Sequence, residues 1–140
     1  MAVSPVSAAT EFSLRPMASD DAVAGHRLTQ QLGWPHTEQD WAFHLAQGQG
    51  WVAVESDGAI IATALLWFYG DDDGTLGLVI VNEAFRGKGV ANALMEHTIE
   101  AAGARKIRLI ATDMAVKLYQ NLGFASPNQI KIAQRQGVIA

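Results

Sequence analysis

The segment from Leu76 to Gly103 constrains this chain more than any other. Leu76 to Val81 is a short apolar run rich in β-branched residues, which suits a buried strand. Arg86-Gly87-Lys88-Gly89 follows as a tight glycine loop. Val90, Leu94 and Thr98, beside Ala91, Met95, Ile99 and Ala102, then recur at helical spacing, and Gly103 closes the pattern. The first N–H groups of a helix have no intrahelical partner, and the helix dipole makes that end positive. Glycines let an anion approach the backbone, so the amides of residues 87 to 91 form a site for a pyrophosphate, with the charges of Arg86 and Lys88 beside it.

Several protein classes place phosphates this way. A Walker loop requires Ser or Thr directly after its Gly-Lys pair; Lys88 is followed by Gly89 and Val90, so that pattern fails. A dinucleotide fingerprint wants a third glycine where Asn92 stands and usually opens the first strand–helix unit, whereas this loop lies past mid-chain. What remains is Arg/Gln-x-x-Gly-x-Gly/Ala, satisfied by Arg86 to Ala91. A glycine loop that merely turns a strand into a helix would satisfy it too, so the rest of the chain has to decide.

The length of 140 residues suits one domain, expected to span residues 1–140 with 1–10 as a loose tail. Hydrophobic residues make up 49%, enough for a core, and charged residues 17%, too few for a disordered chain. A net charge of −4 argues against nucleic acid or an anionic membrane as partner. With no cysteine there is neither a disulfide framework nor thiol catalysis, and no metal site is expected. Residues 1–10 lack Lys and Arg and do not read as a signal peptide, and the run from Ala59 to Tyr69 is too short to span a bilayer. A cytoplasmic protein is the expectation.

Along the chain, Phe12 to Arg15 alternates as a first strand that Pro16 stops. Ser19 can cap a helix with Asp20 and Asp21 in its first turn, Leu28 and Leu32 on one stripe, and Gly33 at its end. Trp34-Pro35-His36 is a turn. Thr37-x-x-Asp40 is a capping box with Asp for the usual Glu, opening a helix that buries Trp41 and Leu45 and stops near Gly48. Trp51 to Glu55 and Ala59 to Tyr69 are strands joined by an Asp57-Gly58 hairpin turn, and Gly70 to Gly74 turns the chain back toward Leu76. Beyond the central helix come a strand from Lys106 to Ala111, a short helix carrying Leu118 and Leu122, then Gly123 and a strand-like C-terminus. The order β-α-α-β-β-β-α-β-α-β predicts an α/β class fold with one mixed sheet of about six to seven strands and helices on both faces.

This order and two of its segments resemble the GNAT superfamily of acyl-CoA-dependent N-acyltransferases. Thr75 to Ala91 is similar to the family's pyrophosphate motif, and Ala115-x-x-Leu118-Tyr119-x-x-x-Gly123-Phe124 to its second motif; together the likeness runs from about Phe12 to Phe124. Two departures stand out. Glu83 occupies a place where relatives often have Pro, and Thr112 one where many have Asn.

The resemblance implies direct transfer of an acetyl group from acetyl-CoA to a primary amine within one ternary complex. It implies that backbone groups of Val79, Ile80 and Val81 pair with the pantetheine arm and polarise the thioester carbonyl. Arg86, Gly87, Lys88, Gly89, Val90, Ala91 and Asn92 would hold the pyrophosphate, and Thr112 would touch the arm. Tyr119 would hydrogen-bond the leaving thiolate. Because a thiol is intrinsically the stronger acid, at about 8.5 against about 10 for Tyr, complete proton transfer from Tyr119 is uphill. His36, Glu38, His44 and Glu83 are candidates for the base that takes the amine's proton, each with an ordinary structural explanation as well. Trp34, Trp41 and Trp67, with Phe68, are candidates for the acceptor pocket, although aromatics at such spacing more often pack in a core. The acceptor is a small molecule or a peptide. Two other readings stay open: a catalytically silent acyl-CoA-binding or regulatory module, and a mononucleotide-binding α/β domain.

After Phe124 the sequence allows one good strand and a stub of another. The Lys106–Ala111 strand would then have an unpaired edge, which a second copy could cover in a homodimer through residues 124–140. Solvent or the N-terminal tail could equally lie against it.

Overall fold

The computed structural model describes residues 11–103, 105–110, 116–124 and 132–136. Strand β1 (Phe12–Pro16) leads through a single turn, Ser19–Asp21, into helix α1 (Ala22–Gln31), followed by α2 (Glu38–Gln47). Strands β2 (Gln49–Glu55), β3 (Ile60–Tyr69) and β4 (Asp73–Val81) form a meander, and α3 (Val90–Ala102) carries the chain to β5 (Lys106–Ile110). Helix α4 (Val116–Asn121) and strand β6 (Ile132–Gln136) complete it. The helix and strand order is the one the sequence predicts. Among the described residues six strands form one sheet in the order β1-β2-β3-β4-β5-β6, antiparallel except for the parallel β4–β5 pair.

Each face of this sheet is covered by helices. On one side Trp51, Ala53, Leu66 and Leu76 pack against Val90, Leu94, Met95 and Ile99 of α3 and against Tyr119 and Leu122. On the other Val52, Val54, Leu65 and Ile80 pack against Ala22 and Leu28 of α1 and Trp41 of α2. The alternation along β2 therefore divides cleanly between two cores, as strands covered on both faces require.

The local signals act as the sequence predicts at several ends. Thr37 Oγ1 accepts from Asp40 N at 3.1 Å while Asp40 Oδ2 accepts from Thr37 N at 2.8 Å, so the capping box forms with an aspartate. Those bonds hold the Asp40 carboxyl below its ordinary pKa, the Thr37 backbone bond being the largest cause. The Asp57-Gly58 turn closes with Glu55 N donating to Ala59 O at 2.8 Å.

Two expectations are corrected. The fourth strand begins at Asp73, because Asp73 and Gly74 pair with Tyr69 and Phe68; the hairpin is tighter than its run of turn-forming residues suggests. And the Lys106–Ala111 strand does not lack a neighbour: β6 lies antiparallel to β5 in register from Lys106↔Gln136 to Ile110↔Ile132. Thr112 and the stretch from 125 to 131 lie outside the described residues.

Candidate active site

The site begins with a fault in β4. Thr63 pairs with Ile80 and Leu65 with Gly77, so three steps along β4 match two along β3. One extra residue is accommodated by a β-bulge, where Leu78 takes φ +48°. A leucine in this left-handed region is strained, and the structure holds it with a bond from Thr63 Oγ1 to Leu78 O at 2.8 Å. The bulge also reverses the pleat, so that Leu76 faces the α3 core while Leu78 and Ile80 face the α1–α2 core.

On its other side, among the described residues, β4 pairs with β5 only at Asp73, Gly74 and Thr75. An Arg108–Asp73 ion pair at 2.7 Å and the bond from Lys106 N to Asp72 O at 2.7 Å fasten that end. Beyond Thr75 the parallel strands part. From Leu76 to Val81 the outward backbone groups of β4 face no strand partner among the described residues, which leaves an edge for hydrogen bonding inside the fold.

At the far end of this edge lies the glycine loop. Asn82 Oδ1 accepts from Ala84 N at 3.0 Å, starting the short turn Glu83–Phe85. Arg86 Nε reaches back to Val81 O at 3.3 Å. Gly87 and Gly89 take φ +76° and +80°, and Gly89 is the N-cap of α3 with no side-chain cap. The amides of Val90, Ala91 and Asn92 thus open the helix with no intrahelical acceptor. Val90 itself is buried in the α3 core, so only its backbone is offered.

These parts meet in one continuous cleft. A recess of about 490 Å³ is lined by Leu32, Trp34, Val79, Ile80, Val81, Arg86, Gly87, Ala91, Leu118 and Tyr119. An adjoining one of about 250 Å³ shares Val81, Arg86, Gly87, Ala91 and Leu118 with it and adds Phe85, Gly89, Val90 and Asn92. Tyr119 is largely buried, its ring edge-on to Phe124 at 5.9 Å, and burial raises the pKa of its hydroxyl. A phenol held protonated is a hydrogen-bond donor rather than a proton source.

The fold thus brings Tyr119, Val79, Ile80, Val81, Arg86, Gly87, Gly89, Val90, Ala91, Asn92 and Trp34 into the walls of one cleft. Lys88 is exposed in the loop and outside both sets of lining residues. Trp41, expected in the acceptor pocket, is 0% exposed: its indole fills the α1–α2 contact and donates to Thr29 Oγ1 at 3.1 Å. It is a core residue. Trp67 lines a different groove, with Phe43, His44, Gln47, Phe68 and Tyr69. Leu32 and Phe85 were not anticipated as walls; neither carries a sequence signal beyond hydrophobicity.

Comparison with known proteins agrees with this geometry. Residues 16–124 match the Acetyltransferase (GNAT) family, and the chain belongs to it. It is similar to the uncharacterized N-acetyltransferase YitH of Bacillus subtilis (strain 168), 31% identical over 110 residues. That match covers 75% of this chain, which spans only 38% of the length of that relative. The fold is similar to that of the ribosomal-protein-S18-alanine N-acetyltransferase of Escherichia coli, with a TM-score of 0.81, 19% identity and coverage of 93% of this chain and 96% of that one. A phosphinothricin acetyltransferase from Sinorhizobium meliloti, solved in complex with AcCoA, superposes with a TM-score of 0.74 and 16% identity, over 91% of this chain and 89% of that one.

Proposed function

We propose that the chain transfers an acetyl group from acetyl-CoA to a primary amine, by direct attack in a ternary complex. The observation that carries this is the single cleft in which a helix-opening glycine loop, an unpaired strand edge and a buried tyrosine meet. The residues fit the cosubstrate. A Cβ added at Gly87 or Gly89 would meet nothing within 4 Å, so the loop leaves its backbone open to a pyrophosphate. The outer edge of β4 from Val79 to Val81 offers amide and carbonyl groups to the amides of the pantetheine arm. A backbone N–H at the bulge is suited to polarise the thioester carbonyl, where charge develops as the amine adds. The Tyr119 hydroxyl, kept protonated by burial, donates to the departing thiolate.

Thermal-shift screening of the full chain with acetyl-CoA, CoA, NAD and ATP tests the binding half. A ligand specific for the folded state, at about 100 times its dissociation constant, stabilises by roughly 2.7 kcal/mol. Stabilisation by acetyl-CoA and CoA alone is expected; a response to NAD or ATP alone would overturn the proposal in favour of a nucleotide-binding domain. An amine panel then separates a transferase from a silent acyl-CoA-binding module. The homodimer keeps a narrower motive, since β6 ends the strand order and among the described residues its outer side has no strand neighbour. Light scattering at full length reads it directly.

A further inference from the structure

The four base candidates can be separated by where the fold puts them. Glu83 is 75% exposed on its side chain and turned toward Arg86, at 4.0 Å. Glu38 is exposed and lines a shallow groove with Ser19, Asp20 and Val23. His44 stands edge-on to Trp67, ring centroids 5.4 Å apart, in the wall of the outer groove.

His36 differs from all three. Its Nδ1 is buried and makes no hydrogen bond among the described residues. Its ring lies 5.9 Å from that of Trp34, which lines the cleft, and 6.4 Å from that of His44. A row therefore runs Trp34, His36, His44, Trp67. One end of that row lines the cleft, and the other packs on the strand that carries the bulge. Trp34 shares the cleft with Val79 to Val81, and the Trp67 ring lies over Gly77, where an added Cβ would sit 2.8 Å from Cζ3. Gly77 immediately precedes the bulge at Leu78, and His36 stands in the row next to Trp34, the residue of the row that walls the cleft. The row is anchored by the bonds from Trp34 N to Thr29 O at 3.0 Å and from Trp67 Nε1 to His44 O at 3.3 Å.

We propose that His36 is the base that takes the proton from the acceptor amine. This rests on the acetyl-transfer reading above. A buried imidazole nitrogen without a partner carries a desolvation cost, which a donor brought within reach beside Trp34 relieves. A primary ammonium cannot attack while protonated, and the apolar walls of Leu32 and Trp34 lower its pKa toward that of imidazole. One proton passes from the ammonium to His36, directly or through one water. The freed amine nitrogen adds to the thioester carbon; a C–N bond forms and the C–S bond breaks. The second proton leaves the nitrogen for the departing sulfur, beside the Tyr119 hydroxyl. The imidazolium then returns its proton to water. The titratable groups beside His36 are Asp40 and His44 of α2; the segments of β3 and β4 near the row present Trp67 and Gly77 to Val81.

The deciding experiment is NMR of the full-length chain, ¹⁵N-labelled at backbone amides and imidazoles. It is titrated first with acetyl-CoA and then with a conjugate in which the CoA sulfur is joined through a CH₂–C(=O) bridge to the nitrogen of butylamine. Glycine-loop amides at 87 to 92 should shift with both probes, and the His36 Nδ1 resonance with the conjugate beyond any change caused by acetyl-CoA. Loop shifts with an unmoved His36 would overturn the assignment while leaving the cofactor reading intact. No loop shift with either probe would remove the cofactor reading and this inference together. With an amine found in the panel, His36→Gln should lower kcat/KM at pH 7 by a hundredfold or more and change the shape of its pH profile. Acetyl-CoA affinity should hold. An unchanged pH profile would count against the base.

Discussion

At the scale of single residues the cleft depends on backbone shapes as much as on side chains. Gly87 and Gly89 were readable in the sequence because an anion site at a helix start needs glycine's positive φ, and the helical periodicity after them fixes where that start is. Leu78 was not readable. Its strain arises from the mismatch between β3 and β4, a property of the pair that neither strand's composition announces. The tryptophans divide for a similar reason. Trp34 and Trp41 both stand near a helix end, but only the packing of α1 against α2 decides which one is enclosed. Gly89→Asp should leave the fold in place, because Asp tolerates the left-handed region better than most residues. It should weaken acetyl-CoA by a hundredfold or more, since a like charge against the pyrophosphate costs several kcal/mol. Calorimetry checks this. Tyr119→Phe removes one donor to a charged leaving group, worth about 1.5–3 kcal/mol. Turnover should fall roughly ten- to hundredfold at saturating substrate, while acetyl-CoA affinity changes little.

At the scale of elements, α1 and α2 approach closely because α1 has a glycine where the two meet. A Cβ on Gly25 would lie 2.6 to 2.8 Å from three atoms of the Trp41 ring, and neither helix can yield without breaking the bond from Trp41 to Thr29. Alanine gains up to about 1 kcal/mol of helix propensity over glycine. Overpacking of about 1–3 kcal/mol outweighs it. Gly25→Ala is therefore expected to lower the urea midpoint without changing the slope of the transition.

The join between β1 and α1 rests on Asp21. Its carboxylate takes two bonds from Arg15, at 2.8 and 3.0 Å, and a third from Ala18 N at 2.7 Å. The Arg15 bond is the main reason its pKa lies below the ordinary value, with the Ala18 bond adding to it against the opposing effect of burial. A depressed carboxylate adds stability in full above its unfolded pKa, about 3.9, and loses it as pH falls through the folded value. Asp21→Asn should cost about 1 kcal/mol near neutral pH. Urea midpoints at pH 7 and pH 3 should then differ less in the variant than in the parent.

At the scale of the whole molecule, the sheet's strand order is also its order along the chain. The alternation of hairpin and helix signals predicts one mixed sheet with helices on both faces; what sequence could not supply was the neighbour of β5 and how little holds the middle together. Among the described residues, four strands from β1 to β4 are joined by long antiparallel ladders, and β5 with β6 by five register pairs, but β4 meets β5 at only three. Helix α3 packs on β2, β3 and β4, so it belongs to the larger block. Native-state hydrogen exchange should show this as unequal protection, with β2 and β3 amides at the global unfolding limit and β5 amides exchanging through a lower-energy opening. Acetyl-CoA, if bound as proposed across the gap, should slow the β5 amides most. Uniform protection across all six strands would contradict it.

The short joint between β4 and β5 has a mechanical consequence. With three pairs at one end and none above among the described residues, the sheet is a two-leaved clip whose jaws open at the glycine loop. A load pulling the leaves apart there meets no backbone ladder and works as a lever on the Asp73–Arg108 pair at the closed end. A molecule seated along β4 would replace the missing rungs, so the protein should be stiffest when the proposed cosubstrate is in place and should loosen whenever that molecule leaves.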